Sequence, residues 1–229
     1  MTTSSARPSV LVFDVNGTLS DLTPLRRRFE AVGVRADVMP LWFASVLRDG
    51  FALTAAGGYA DFTDVARDGL RQLLTAEGVG RDRLEDAIGH VESGFAELDV
   101  HPDVAEGIRG LRAAGYRLVT MTNGTAELTG RLLTRAGVQD CFSALLDVAG
   151  PHRWKPHPQA YRYAAERAGV RPAEMMLVAT HPWDVDGARR AGLGGAWLRR
   201  GADPASYPRS MTAPTMAAED TRDLARLFT

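Results

Sequence analysis

Lysine is almost missing from this sequence: Lys155 is the only one, and arginine fills every other basic position. Asparagine is nearly as scarce, with Asn16 and Asn123 each opening an Asn-Gly-Thr triplet. A compact ammonium and a planar guanidinium are not interchangeable in a tight site, so the lone lysine is a candidate for a position where only lysine works, the alternative being chance survival on a loop. The single cysteine, Cys141, excludes an internal disulfide and fits a reducing cytoplasm, where it reads as a small buried filler. No apolar run approaches the roughly 20 residues that a helical membrane span needs. The opening Met-Thr-Thr-Ser-Ser-Ala-Arg-Pro lacks the basic and then apolar segments of a secretion signal. A net charge of -1 gives no general attraction to nucleic acid or to an anionic membrane, so neither partner is expected.

What is present is 229 residues, 45% of them hydrophobic, enough for one α/β core and a smaller inserted domain. Ser9-Val-Leu-Val-Phe-Asp14 is a continuous apolar run ending in a carboxylate, as a central strand covered on both faces reads. It breaks at the turn Asn16-Gly17-Thr18. From about Leu22 to Leu98 the pattern is helical, with segments around 25–29, 41–47, 62–74 and 84–95. Strands and helices then alternate: strands are expected over 116–121, within 141–148, and over 175–179 and 195–198, with a last helix over 217–228. That alternation implies right-handed βαβ units. The expected fold is α/β: a doubly wound, Rossmann-like parallel sheet formed by 1–20 and 99–229, with an all-helical cap at 21–98.

Ligands of such sheets bind beyond the carboxyl ends of the strands. Those ends here carry Asp14 to Thr18, Thr122-Asn123, Arg153 to Lys155, and Thr180-His181 with Asp184. A carboxylate, hydroxyls, an amide and the unique ammonium converging there make a candidate active site. An ionised aspartate can act as a covalent nucleophile, and an adjacent ammonium in a water-poor site favours its charged form. Asp14 also reads as a plain turn-capping carboxylate, and Thr122 as a helix cap.

Taken together, Phe13-Asp14-Val15-Asn16-Gly17-Thr18-Leu19, Met121-Thr122-Asn123-Gly124, Trp154-Lys155-Pro156 and Thr180 to Ala188 resemble the four motifs of the haloacid dehalogenase superfamily. The resemblance implies that Asp14 is the nucleophile, that Thr122 binds the anionic group of the substrate, and that Lys155 balances the charge of Asp14. Most members of the superfamily are magnesium-dependent and carry a second aspartate two residues after the nucleophile. Asn16 stands there, and an amide cannot give and take a proton at neutral pH. Thr180 stands where a metal-binding aspartate would fall, which leaves too little negative charge to hold Mg²⁺. No metal or cofactor is expected, and His152 and His157 match no strong zinc spacing. Phosphonate hydrolases of the superfamily use a cap lysine, which this chain lacks.

The chain is most similar to the metal-free type II 2-haloacid dehalogenases. That likeness implies an aspartyl-ester route on a small 2-haloalkanoate, in a possible homodimer. Tyr161, six residues after Lys155, matches a substrate-site tyrosine, and Leu41-Trp42 the start of the cap segment. Phe43 replaces the leaving-group arginine of that family, and His181 replaces an asparagine. Arg48, the Trp42 or Trp183 indole N–H, or His181 are candidates for the halide. The expected catalytic set is Asp14, Thr18, Lys155, His181 and Asp184. Val15, Asn16, Thr122, Asn123, Tyr161, Trp42, Phe43 and Arg48 are expected to contact substrate. Asp184 orients Lys155 or the hydrolytic water, and His181 either activates that water or is held by a backbone carbonyl. Two other readings stay open: a phosphatase that works with Asn16, and a binding protein without turnover.

Overall fold

In the computed structural model, which describes residues 7–229, the first apolar run forms β1 (Val10–Phe13) with all four side chains buried. Residues 1–6, on which the expectation about a secretion signal rests, lie outside the described residues. The other strands are β2 (Arg117–Thr122), β3 (Phe142–Asp147), β4 (Met175–Ala179), β5 (Gly194–Leu198) and β6 (Met216–Ala218). They lie in the order β3-β2-β1-β4-β5-β6, and every pairing is parallel. Parallel neighbours need crossover helices, which here are α5 (Val104–Ala113), α6 (Ala126–Arg135), α7 (Pro158–Arg167) and α8 (Pro182–Arg190). The strand order reverses between β1 and β4, so a crevice opens where Asp14 follows β1 and Thr180 follows β4.

The region 217–228, expected to be one helix, is divided in two. Met216–Ala218 pairs with β5 as a sixth strand, and α9 (Thr221–Phe228) starts only after Asp220, whose carboxylate accepts from the Asp223 N–H at 2.8 Å. Met-Ala-Ala has no strand preference of its own, and pairing at the sheet edge overrides its helical propensity.

Between β1 and β2 the chain makes α1 (Leu25–Ala31), α2 (Met39–Ala55), α3 (Phe62–Ala76) and α4 (Leu84–Ser93). Its way out and its way back are tied together: Ser20 bridges Val100 antiparallel, and the Asp21 N–H donates to the Asp99 carbonyl at 2.9 Å. The helices pack on an aromatic centre in which Trp42 lies 5.6 Å from Phe29 and 5.8 Å from Phe95. The insertion meets the β3–α7 loop at Trp154, which is fully buried against Phe62. No helix of the described residues is long and apolar enough to cross a membrane.

The C-terminal segment reaches back to the first loop. Arg200 donates to the Thr18 carbonyl from Nε at 3.0 Å and Nη2 at 2.6 Å, and to the Asp103 carboxylate from Nη1 at 2.8 Å. Asp103 also accepts from the Thr221 hydroxyl at 2.7 Å and the Thr221 N–H at 2.9 Å, and so joins the start of α5 to the start of α9. Burial raises the Asp103 carboxyl pKa, but the bonds from Arg200 and Thr221 outweigh it and hold the group far below the usual carboxylate range. A carboxylate whose pKa is depressed by folding stabilises the protein above its unfolded value, near 4, and that contribution fades as pH falls towards the folded value. Asp103→Asn is therefore expected to cost about 3–5 kcal/mol at pH 7, the range for removing one partner of a buried ion pair. Urea unfolding should show the gap from the unsubstituted protein narrowing below pH about 4.

Candidate active site

Asp14 stands one residue past β1, and its N–H donates to the Val178 carbonyl of β4 at 3.0 Å, which aligns Asp14 with the switch point. Its two carboxylate oxygens have separate partners. Oδ1 accepts from the Lys155 ammonium at 2.8 Å, and Oδ2 accepts from the Thr18 hydroxyl at 2.6 Å. The Thr18 hydroxyl in turn accepts from the Thr180 N–H at 3.1 Å, so β1 and β4 together orient it.

Lys155 is completely buried, and its ammonium also donates to Asp184 Oδ2 at 2.5 Å. The other Asp184 oxygen accepts from the Tyr161 hydroxyl at 2.6 Å. Burial opposes ionisation of all three charged groups, and the outcome differs between them. For Asp14 the attraction of Lys155 and His181 and the bonds from Lys155 and Thr18 prevail, so its pKa lies below the ordinary carboxylate value. Two carboxylates keep Lys155 an ammonium, with its pKa raised. For Asp184 burial prevails, helped by repulsion from Asp14, and its pKa is raised. Burial and the neighbouring Asp184 likewise keep the Tyr161 hydroxyl protonated.

The backbone of Lys155 is held by Asn123, whose Oδ1 accepts from the Lys155 N–H at 2.8 Å while Nδ2 donates to the Lys155 carbonyl at 3.2 Å. The turn after Asp14 is held in a comparable way at three successive carbonyls. His181 Nε2 donates to Asn16 at 2.8 Å, His101 Nε2 to Gly17 at 3.2 Å, and Arg200 to Thr18. Gly17 has a φ of 80° there, the left-handed region that glycine enters at no steric cost. His181 Nε2 is also 3.7 Å from Asp14 Oδ2, and the imidazole stacks on Trp183 with centroids 5.4 Å apart.

A narrow cavity of about 20 Å³ begins one residue after Asp14, and its lining combines Val15, Asn16, Thr122 and Gly124 with the apolar Phe62 and Phe95 of the insertion. Thr122 ends β2 with its hydroxyl accepting from the Gly124 N–H at 2.9 Å. The structure thus brings Asp14, Thr18, Lys155, Asp184 and His181 together and puts Val15, Asn16 and Thr122 at the cavity.

Five expected substrate contacts are corrected. The indole N–H of Trp42 donates to the Ala66 carbonyl at 3.1 Å inside the helical insertion, so it is not available to a halide. Phe43, on the same helix, is buried in the hydrophobic core and is not among the cavity's lining residues. Arg48 points to solvent in an ion pair with Asp49 at 2.7 Å, because α2 turns that face outward. Asn123 uses its amide on the Lys155 backbone, and Tyr161 stands behind Asp184. Both support the charged groups and lie outside the cavity lining. Cys141, expected as a buried filler, is only half-buried in the turn before β3.

Arg200, His101, Ser20, Phe95 and Leu98 are at the site without having been expected there. Nothing local distinguishes them: each reads as an ordinary surface arginine, loop histidine or helix-packing residue until the chain is folded. Among the described residues, no group of three or more His, Cys, Asp or Glu side chains is arranged to hold a metal ion.

A family model described as haloacid dehalogenase-like hydrolase matches residues 8–192. (S)-2-haloacid dehalogenase 4A of Burkholderia cepacia is 30% identical over 201 residues, covering 86% of this chain and 85% of its own. Haloacetate dehalogenase H-2 of Moraxella sp. (strain B) is 28% identical over 213 residues, covering 91% and 94%. The solved structure of an L-2-haloacid dehalogenase from Xanthobacter autotrophicus with chloropropionic acid covalently bound superposes with a TM-score of 0.82. It is 26% identical and covers 96% of this chain and 98% of that one.

The cluster makes a specific stability prediction. Lys155→Met keeps much of the volume but leaves Asp14 and Asp184 buried without a counter-charge, at an expected cost of about 3–5 kcal/mol at pH 7. Without the ammonium, burial and mutual repulsion raise both carboxyl pKa values. A group raised on folding stabilises the fold below its unfolded pKa and loses that contribution as pH rises through the folded value. The variant should accordingly gain stability relative to the unsubstituted protein between pH 7 and about 5, measured by urea unfolding. Equal stability at pH 7 would contradict the charge balance described above.

Proposed function

The chain belongs to the haloacid dehalogenase-like hydrolases, and we propose that it is a metal-independent hydrolytic dehalogenase of small 2-haloalkanoic acids. The observation that carries this reading is the satisfied state of both carboxylates. Lys155 and Thr18 take the oxygens of Asp14, and Lys155 and Tyr161 take those of Asp184. The single lysine already supplies a positive charge shared by the two carboxylates, which lessens what a divalent ion would gain there. Asn16 in place of an acid/base aspartate weighs against a phosphatase in the same way.

In the proposed reaction an oxygen of Asp14 attacks C2 of the substrate opposite the halogen. The new C–O bond forms as the carbon–halogen bond breaks, and the electron pair leaves as halide. Water then attacks the carbonyl carbon of the Asp14 ester; one of its protons passes to the Asp184 carboxylate beside Lys155 and the other to the departing alkoxide, which leaves as the 2-hydroxy acid and restores the Asp14 carboxylate. Burial has raised the Asp184 carboxyl towards accepting that proton. The substrate carboxylate is assigned to Thr122 and the N–H groups at the start of α6, with Val15 and Asn16 lining the same cavity. Of the four halide candidates, His181 and Trp183 remain, stacked together with the Lys155 ammonium 6.0 Å from the indole centre.

Residues 21–98 are taken as the cap and 1–20 with 99–229 as the core, in keeping with the paired exit and return at Ser20 and Val100. A homodimer fits the outer face of α2, where Leu41 is 65% exposed. The half-buried free thiol of Cys141 suits the reducing cytoplasm.

Halide release from 2-haloacids should proceed undiminished in excess chelator. After turnover in ¹⁸O-water, heavy oxygen should appear in the peptide containing Asp14. Lys155→Arg should lower the rate by about 10²-fold or more, since a guanidinium cannot reproduce both short contacts. Magnesium-dependent phosphate release without any halide release would replace this reading.

A further inference from the structure

Lys155 is supported on one side by Asn123 and on the other by the residue before it, Trp154, which belongs to the core loop but is lodged in the helical insertion. The Trp154 ring is fully buried, 5.8 Å from Phe62 and nearly parallel to it, and its indole N–H donates to the Ala60 carbonyl at 2.9 Å. The backbone N–H of Trp154 donates to the hydroxyl of Thr54, in the last turn of α2, at 3.1 Å. Gly50, one turn earlier, passes so close that a Cβ there would lie 2.2 Å from the ring. Three parts of the insertion (Gly50 with Thr54, Ala60, and Phe62) therefore close on one side chain adjacent in sequence to the catalytic ammonium.

We propose that Thr54 and Trp154 form a latch through which the helical insertion sets the position of the Lys155 ammonium against Asp14. Trp154 is thereby a positioning residue that acts through Lys155, and Thr54 is its anchor across the two parts of the molecule. Attraction between the ammonium and Asp14 weakens as they separate, and in a buried site this loss is poorly screened. If the latch loosens, the Asp14 carboxylate loses part of what holds its pKa down. The groups facing Asp14 are Lys155 from the β3–α7 loop, Thr18 from its own turn and His181 from the β4–α8 loop, with Asp184 beyond the lysine. Among the described residues Thr54 has no hydrogen bond to Asp14, Thr18, His181 or Asp184 and is bonded instead to the Trp154 N–H, so a change at Thr54 reaches Asp14 through Trp154 and Lys155.

The inference rests on the dehalogenase reading for its kinetic test, and a second readout is independent of turnover. In the full chain, Thr54→Val keeps the shape but removes the acceptor of the Trp154 N–H, whereas Thr54→Ser restores it. The valine variant should lose about 10-fold in kcat with KM changed by less than about 2-fold, the cost expected when a buried donor loses its partner. The acid limb of its kcat/KM profile should move to higher pH, and the serine variant should recover both. Exchange of the Lys155 amide hydrogen, which donates to Asn123, should quicken about 10-fold in the valine variant. Trp154→Phe, which removes the bond to Ala60, should act in the same direction and serves if Thr54→Val does not fold. An unshifted acid limb and unchanged amide exchange in a folded variant overturn the latch. If the unsubstituted protein releases no halide, the dehalogenase reading falls, and amide exchange alone decides whether the latch stands.

Discussion

One ammonium in contact with two carboxylates at 2.8 and 2.5 Å, all of them removed from water, sets the terms for the rest of the site. Burying charges is costly unless each is paired and its remaining hydrogen-bonding capacity is met. The surroundings of Lys155 meet that condition with uncharged donors: Thr18 for Asp14 and Tyr161 for Asp184. The site therefore has one carboxylate made easier to ionise and one made harder, a division of labour imposed by position alone. A carboxylate that favours its charged form beside one that can take up a proton suits the proposed two-step displacement and hydrolysis.

The fold was largely legible because its signals are local and repeated. Strand runs ending in polar residues and helices ending in glycine mark βαβ units whatever their final neighbours. The sixth strand was not legible, since Met216-Ala-Ala takes its conformation from β5 and from the Asp220 cap. At the site, proximity tied to a motif could be read: Asp14, Thr18, Lys155 and Asp184, expected to converge from residue type and position beyond a strand, do lie in mutual contact. Which way a side chain points could not. Trp42 and Arg48 lie six residues apart on α2, yet one is sealed inside the insertion and the other points to solvent. Asn123 and Tyr161 were assigned to the right neighbourhood with the wrong partner, because an amide beside a substrate and one beside a lysine backbone look alike in one dimension.

Phe43 gives the site its individual character. The leaving-group arginine that the family resemblance implies at this position is replaced by a ring buried in the hydrophobic core. The positive charge nearest Asp14 is then that of Lys155, 2.8 Å from one carboxylate oxygen, with the His181 imidazole 3.7 Å from the other. The three loop carbonyls held by His181, His101 and Arg200 show where other side-chain donors of this region are used: in holding the turn that carries Asp14.

The bond from Arg200 to Thr18 spans 182 positions of the chain, and β1 pairs with β4 across a similar interval. During synthesis Asp14 therefore leaves the ribosome long before β4 and Arg200, which support it, are made. Contacts of such long sequence separation are slow to form. Until they do, Val10–Phe13 is an unpaired apolar strand on a nascent chain, the kind of segment that invites association with other chains or with a chaperone. A premature stop before Arg200 would yield a polypeptide that contains every motif aspartate and the lysine, yet could not close the turn on which the nucleophile rests.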